Sequence, residues 1–210
     1  MTLESAFPWI SAAAALAAGF VAPESKAGRG LRTAALTALA LYAYFRAIAP
    51  NSVPMALICQ ALGQALLPLG AARWRRIAIA LPALGWLILA NLYLGAGDGP
   101  GVFVGDGAKA GLLAATVIGA GYGLWRARAW APRSAGLQAE AGALIVMAAM
   151  GLTLAWDFWP VMAGMLMVVA SFGLTLYGVR GEGGPSPALA RGGWALAFLG
   201  QAAMTYAFVR

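Results

Sequence analysis

Gln60 and Gln64 stand four residues apart inside SVPMALICQALGQALLPLG, a stretch from Ser52 to Gly70 that is otherwise almost wholly apolar. Four residues is about one helical turn, so both amides fall on one face. Such amides hydrogen-bond between packed helices, or they line a polar cavity that holds a substrate or a lipid headgroup. An amide does not titrate, so neither residue can deliver a proton. Ser171 and Gln201 are further polar side chains at midplane depth, with Asn91 nearer the outer side. With the two glutamines they form the candidate substrate-binding set, and the cavity is expected between the third, seventh and eighth apolar runs.

Titrating groups are scarce. The chain has seven acids, 14 basic residues, one cysteine and no histidine. No histidine means no His-based metal site and no Ser-His-Asp triad, and Cys59 alone excludes an internal disulfide. No metal or cofactor is expected, and the methionines of MAAMG and MAGMLM read as flexible core filler. Glu4, Glu24, Asp98, Asp106, Asp157 and Glu182 fall in tails, joints or run ends. Glu140 lies one turn into the sixth run, near enough to its end for water or a headgroup to reach. Cys59 and Tyr122 are weak acids at neutral pH. The expectation is therefore a small wet chamber with no titrating group inside. The catalytic residues stay unassigned.

The elements that must position these side chains are long and apolar. Hydrophobic residues make up 62% of the 210-residue chain and charged residues 10%; a soluble domain carries roughly 25% charged residues. Mean hydropathy is +0.78. A helix crossing about 30 Å of hydrocarbon needs about 20 mostly apolar residues. Eight runs fit that pattern: Phe7–Val21, Leu31–Ala49, Ser52–Gly70, Ile77–Gly95, Ala108–Trp125, Leu137–Trp156, Trp159–Val179 and Leu189–Val209. They lack the short alternating segments of a strand barrel. The expected fold is all-α, a polytopic membrane bundle of eight transmembrane helices forming a single domain over 1–210. Between the runs lie joints rich in Gly and Pro, and GVFVGDG reads as a loop without a phosphate-binding setting. Gly119 and Gly123, spaced as GxxxG, are expected to let two helices approach closely.

Charge sets direction. The joints after runs one, three, five and seven hold 11 of the 14 basic residues: Lys26, Arg29, Arg32, Arg73, Arg75, Arg76, Arg126, Arg128, Arg133, Arg180 and Arg191. Arg46, Lys109 and Arg210 fall on the opposite side with Asp98, Asp106 and Asp157. Positive loops stay in the cytoplasm, which places both termini outside, in a bacterial inner membrane. Trp74, Trp125, Trp130, Trp156 and Trp159 sit at run ends, where an interfacial belt belongs. The high pI, near 10.2, thus reflects orientation rather than nucleic-acid binding. Membrane lipids are the expected partners, a lysophospholipid or ether lipid among them.

Several stretches resemble the YhhN-like lysoplasmalogenase family of eight-span membrane proteins. In ALICQALGQALLPL, Gln60, Gly63 and Gln64 fall where the family's third span has Ser, Gly and Asp. GMLMVVASFGLTL is similar to its seventh span, with Ser171 at the Ser and Phe172 at the following Asp. LGQAAMTY places Gln201 at the central Gln of the last span. Weaker matches put Arg32, in RTAALTALAL, near a Lys and Asn91, in ANLYL, near a His. The resemblance implies hydrolysis of the vinyl ether bond of lysoplasmalogens, releasing a fatty aldehyde. Both acidic positions are substituted, so the implied chemistry lacks its expected carboxyl groups. A silent relative that only binds lysolipids and a small permease are the alternatives.

Overall fold

Ala, Leu and Met, strong helix formers, dominate the apolar runs, while Gly and Pro gather between them. The computed structural model describes residues 3–22, 25–46, 51–69, 72–127, 135–178 and 186–209. Among these residues there is helix and no strand: α1 (Leu3–Phe20), α2 (Lys26–Arg46), α3 (Ser52–Leu66), α4 (Ala72–Ala96), α5 (Val102–Gly105), α6 (Gly107–Ala127), α7 (Ala135–Gly151), α8 (Trp159–Gly178) and α9 (Pro187–Ala207). Single 3-10 turns, Leu67–Leu69 and Trp156–Phe158, follow α3 and precede α8. The eight long helices overlay the eight apolar runs in order. The segment GVFVG is not the loop its glycines suggest: it winds into the one-turn α5, closed where the Asp106 N–H donates to the Val102 carbonyl at 2.9 Å.

Two helical stretches, Arg76–Ala96 and Trp156–Thr175, are long and apolar enough to cross a membrane. Ser5–Phe20, Ser52–Leu66 and Gly136–Gly151 are apolar but shorter. Length and apolarity thus supply two of the eight expected crossings among the described residues.

Sequence neighbours pack side by side from α1 to α4, α7 packs on α4, and α9 lies along α8. The bundle closes where α9 returns to α1 and α2. There the Trp194 indole N–H donates to the Ala15 carbonyl at 3.2 Å. The core is built from Leu36, Leu39, Tyr93, Met147 and Met165, all fully buried.

Two crossings rely on glycine. A Cβ on Gly164 of α8 would stand 2.5 Å from the Gly200 carbonyl oxygen of α9, and one on Gly200 would strike the Gly164 carbonyl in turn. Gly63 of α3 lies against the Ala78 carbonyl and the Pro82 ring of α4. Pro82 has no N–H to give that carbonyl, so α4 presents a bare oxygen where α3 comes closest. Gly119 does not act this way. A Cβ there would meet nothing within 4 Å, because Gly119 is exposed at a gap between α6 and its neighbours.

Helices that follow one another run antiparallel, as the stacking of Phe7 in α1 on Phe45 in α2 at 5.9 Å records for the first pair, so the molecule has two distinct ends. Lys26, Arg29, Arg32, Arg73, Arg76 and Arg191 lie toward one end, where α2, α4, α7 and α9 begin. Glu24, Arg128, Trp130, Arg133, Arg180, Glu182 and Arg210 lie outside the described residues.

The other end is tied down by charge. One Asp106 oxygen accepts the N–H groups of Ala108 and Lys109, each at 3.1 Å, capping α6. Its second oxygen accepts the Trp156 indole N–H at 2.8 Å. The Lys109 N–H most of all, then the indole, holds this carboxyl below the usual carboxylate range. Lys109 itself is not the solvated charge its place beside a joint suggests. It is buried, and its ammonium donates to the Leu154 carbonyl at 2.6 Å, satisfying backbone just beyond the end of α7.

Because backbone, and not a flexible side chain, meets the missing Cβ atoms, Gly164→Leu and Gly200→Leu should each destabilise the protein by about 1–3 kcal/mol or more. Gly119→Leu should leave stability within about 0.5 kcal/mol. Thermal unfolding in detergent reads the difference.

Candidate functional site

Four of the polar side chains that the apolar runs carry converge at the basic end. A cavity of about 410 Å³ opens there, walled by α2, α3, α4, α7, α8 and α9. Gln60, Gln64, Ser171 and Gln201 all line it. Gln60 is buried, and its amide donates to the Pro82 carbonyl at 3.1 Å. Gln201 is 5% exposed, and its side-chain oxygen has no hydrogen-bond partner. Ser171 is buried on α8, and its carbonyl accepts the Thr175 hydroxyl.

Asn91 does not join them. It lies on the exposed side of α4, five residues beyond Trp86, which faces the cavity. Five residues turn a helix by about 140° past a full circle, so these two side chains cannot share a face. Tyr122 is exposed on α6, and neither it nor Cys59 lines the cavity.

The expectation of a chamber without titrating groups fails. Glu140 and Arg32 both line it, with Arg29 beside Arg32. Glu140, half-buried on α7, falls on one face with Leu137 and Leu144, three residues before and four after it. All three reach the cavity. Trp86 lines the same cavity, and its buried indole N–H has no hydrogen-bond partner. Asp157 is exposed in the 3-10 turn at the opposite end.

Arg32 precedes the buried Leu36 and Leu39 by four and seven residues, so α2 turns it inward. Its guanidinium lies 4.9 Å from the centre of the Trp194 ring, and the indole is itself fixed by its bond to Ala15. The Nε and Nη2 atoms of Arg32 are buried with no partner. Among the described residues no ion pair joins Arg32 to Glu140.

The chamber therefore offers two cations, a carboxyl group, three amides and the Ser171 hydroxyl. Leu36, Leu144, Val168 and Phe172 add apolar wall. A buried cation needs an anion or hydrogen-bond acceptors to offset its desolvation, and the orphaned Gln201 oxygen needs a donor. A ligand with an anionic group and a hydroxyl meets both needs.

By sequence Glu140 lies where water or a headgroup can reach it and Arg32 belongs to a basic joint, so neither is placed in the chamber. The overlooked signal was spacing, three or four residues from side chains that prove to be buried or cavity-lining. No family model matches this chain, and neither a curated protein nor a solved structure does.

Proposed function

We propose that the chain is an integral membrane protein of eight crossings whose cavity is the active site of a lysoplasmalogenase-like hydrolase. The observation that carries this reading is Glu140 lining the same chamber as Arg32, Gln60, Gln64, Ser171 and Gln201. The motif resemblance supplies the reaction, and Glu140 supplies the acid that Gln64 and Phe172 cannot.

Outward faces support the membrane setting. Phe20, Leu41, Ile58, Leu87, Ile118 and Leu199, on six different helices, are large, apolar and exposed. Soluble proteins rarely expose apolar patches beyond a few hundred Å², whereas lipid covers such a belt. With the basic end in the cytoplasm, the chamber opens to the cytoplasmic side of a bacterial inner membrane, and both termini lie outside.

One carboxyl group suffices for the chemistry. Protonated Glu140 gives its proton to the vinyl carbon remote from the ether oxygen, and the double-bond electrons form the new C–H bond. An oxocarbenium ion is left. The Glu140 carboxylate then takes a proton from water as the water oxygen bonds to the cationic carbon. The resulting hemiacetal collapses: its hydroxyl proton leaves, the carbon–glycerol oxygen bond breaks, and the glycerol oxygen is protonated. One water is consumed, and a fatty aldehyde and the glycerophospho-headgroup depart. Arg32 holds the phosphate, the Gln201 oxygen accepts from the free glycerol hydroxyl, and the apolar wall carries the chain.

Gln64 and Phe172, standing where the family has acids, favour a second reading in which the protein binds lysolipids without turning them over. Incubation with a lysoplasmalogen separates the two. Hydrolysis predicts released aldehyde, cut about 10²- to 10⁴-fold by Glu140→Gln at unchanged thermal stability. Retained lysolipid with no aldehyde from the native protein establishes the binder instead. The crossing pattern has its own check. On a Cys59→Ser background, cysteines at Lys26 and Asp98 should react with an impermeant thiol reagent from opposite faces of a proteoliposome. Labelling from one face would refute the topology.

A further inference from the structure

A second cavity, of about 170 Å³, lies between α6, α7 and α8. Its wall is made by Ala120, Ile145, Val169 and Gly173, together with Leu144 and Phe172. Thr116 also reaches it, but that hydroxyl is spent on the Leu112 carbonyl at 2.9 Å. An apolar cavity of roughly 150 Å³ stays dry and takes up an apolar guest, so this slot is suited to hydrocarbon.

Two features connect it to the polar chamber. Leu144 and Phe172 line both cavities, so one layer of side chain divides them. The slot's rim is open to the outside at Gly119, Ala170 and Gly173, all exposed, where α6 rests lightly on its neighbours compared with the close α8–α9 crossing.

We infer that this slot holds the alkyl chain of the lipid whose polar head occupies the chamber, with Phe172 as the partition the chain passes. The inference rests on the proposed lysolipid site and adds the path of the tail. A single chain runs from the Arg32 chamber, past Phe172, out between α6 and α8 toward the surrounding hydrocarbon. Phe172 thereby has a use at a position where the family resemblance implies an acid. It separates a wet compartment from a dry one, and its ring is apolar on both sides. A lipid with two chains has a second tail that neither cavity accommodates.

Gly119→Leu and Gly173→Leu together test this. A Cβ at either glycine meets nothing within 4 Å, so the added side chains enter the slot or its mouth without displacing backbone. The probes are saturated ether lysophosphatidylethanolamines with hexadecyl or hexyl chains, which lack the vinyl bond. The native protein should bind the hexadecyl probe more tightly. The double variant should lose about tenfold or more of that affinity while binding the hexyl probe as before. Unchanged hexadecyl affinity in the variant, or equal affinity of the native protein for both chains, overturns the slot and leaves the headgroup site standing. Failure of the native protein to bind either probe overturns both.

Discussion

The chamber is arranged around the half-buried guanidinium of Arg32. Nε and Nη2 of Arg32 find no partner, and stacking on Trp194 compensates only part of a cation's lost hydration. That ring is held by its bond to Ala15, which fixes α9 against α1 while α2 brings Arg32 to the same place. Such a charge stabilises little in an empty protein and a great deal when an anion arrives. Glu140 lines the same space, and among the described residues no ion pair joins the two.

The two ends of the bundle treat charge in opposite ways. At the acidic end Asp106, Lys109 and Trp156 satisfy one another and the chain ends around them. Tyr93, Phe158 and Phe208 pack together beside them, with ring centres 6.1 and 6.0 Å apart. At the basic end the charges are left open around a cavity. The two ends can thus be told apart by whether their polar groups already have partners. The glycine crossings make the second end possible, since α3 on α4 and α8 on α9 bring Gln60, Ser171 and Gln201 within one chamber.

Much of the fold was legible. Apolar runs bounded by Gly and Pro read directly as helices, because no other local structure satisfies the backbone of so long an apolar segment. The convergence of Gln60, Gln64, Ser171 and Gln201 was legible from three amides and a hydroxyl set at midplane depth in apolar runs. What the sequence hid was facing. Asn91 looked equivalent to Gln60 by type, and only the rotation of α4 relative to its neighbours turns it out. Gly119 had the spacing of a packing motif, yet helix contact depends on which helix lies opposite. Glu140 and Arg32 were set aside by a rule of depth, although a cavity that opens at one end gathers the residues nearest that end. Helix lengths, in turn, carry two crossings by themselves, and the outward apolar belt argues for the rest.

The chamber's assignment turns on where an uncleavable substrate settles. An experimental structure of the protein with a saturated ether lysophospholipid tests it most directly. The account predicts phosphate oxygens within hydrogen-bonding reach of Arg32 and the first chain carbons facing Glu140. A lipid bound only on the outer belt, with the Arg32 chamber filled by water, would contradict it.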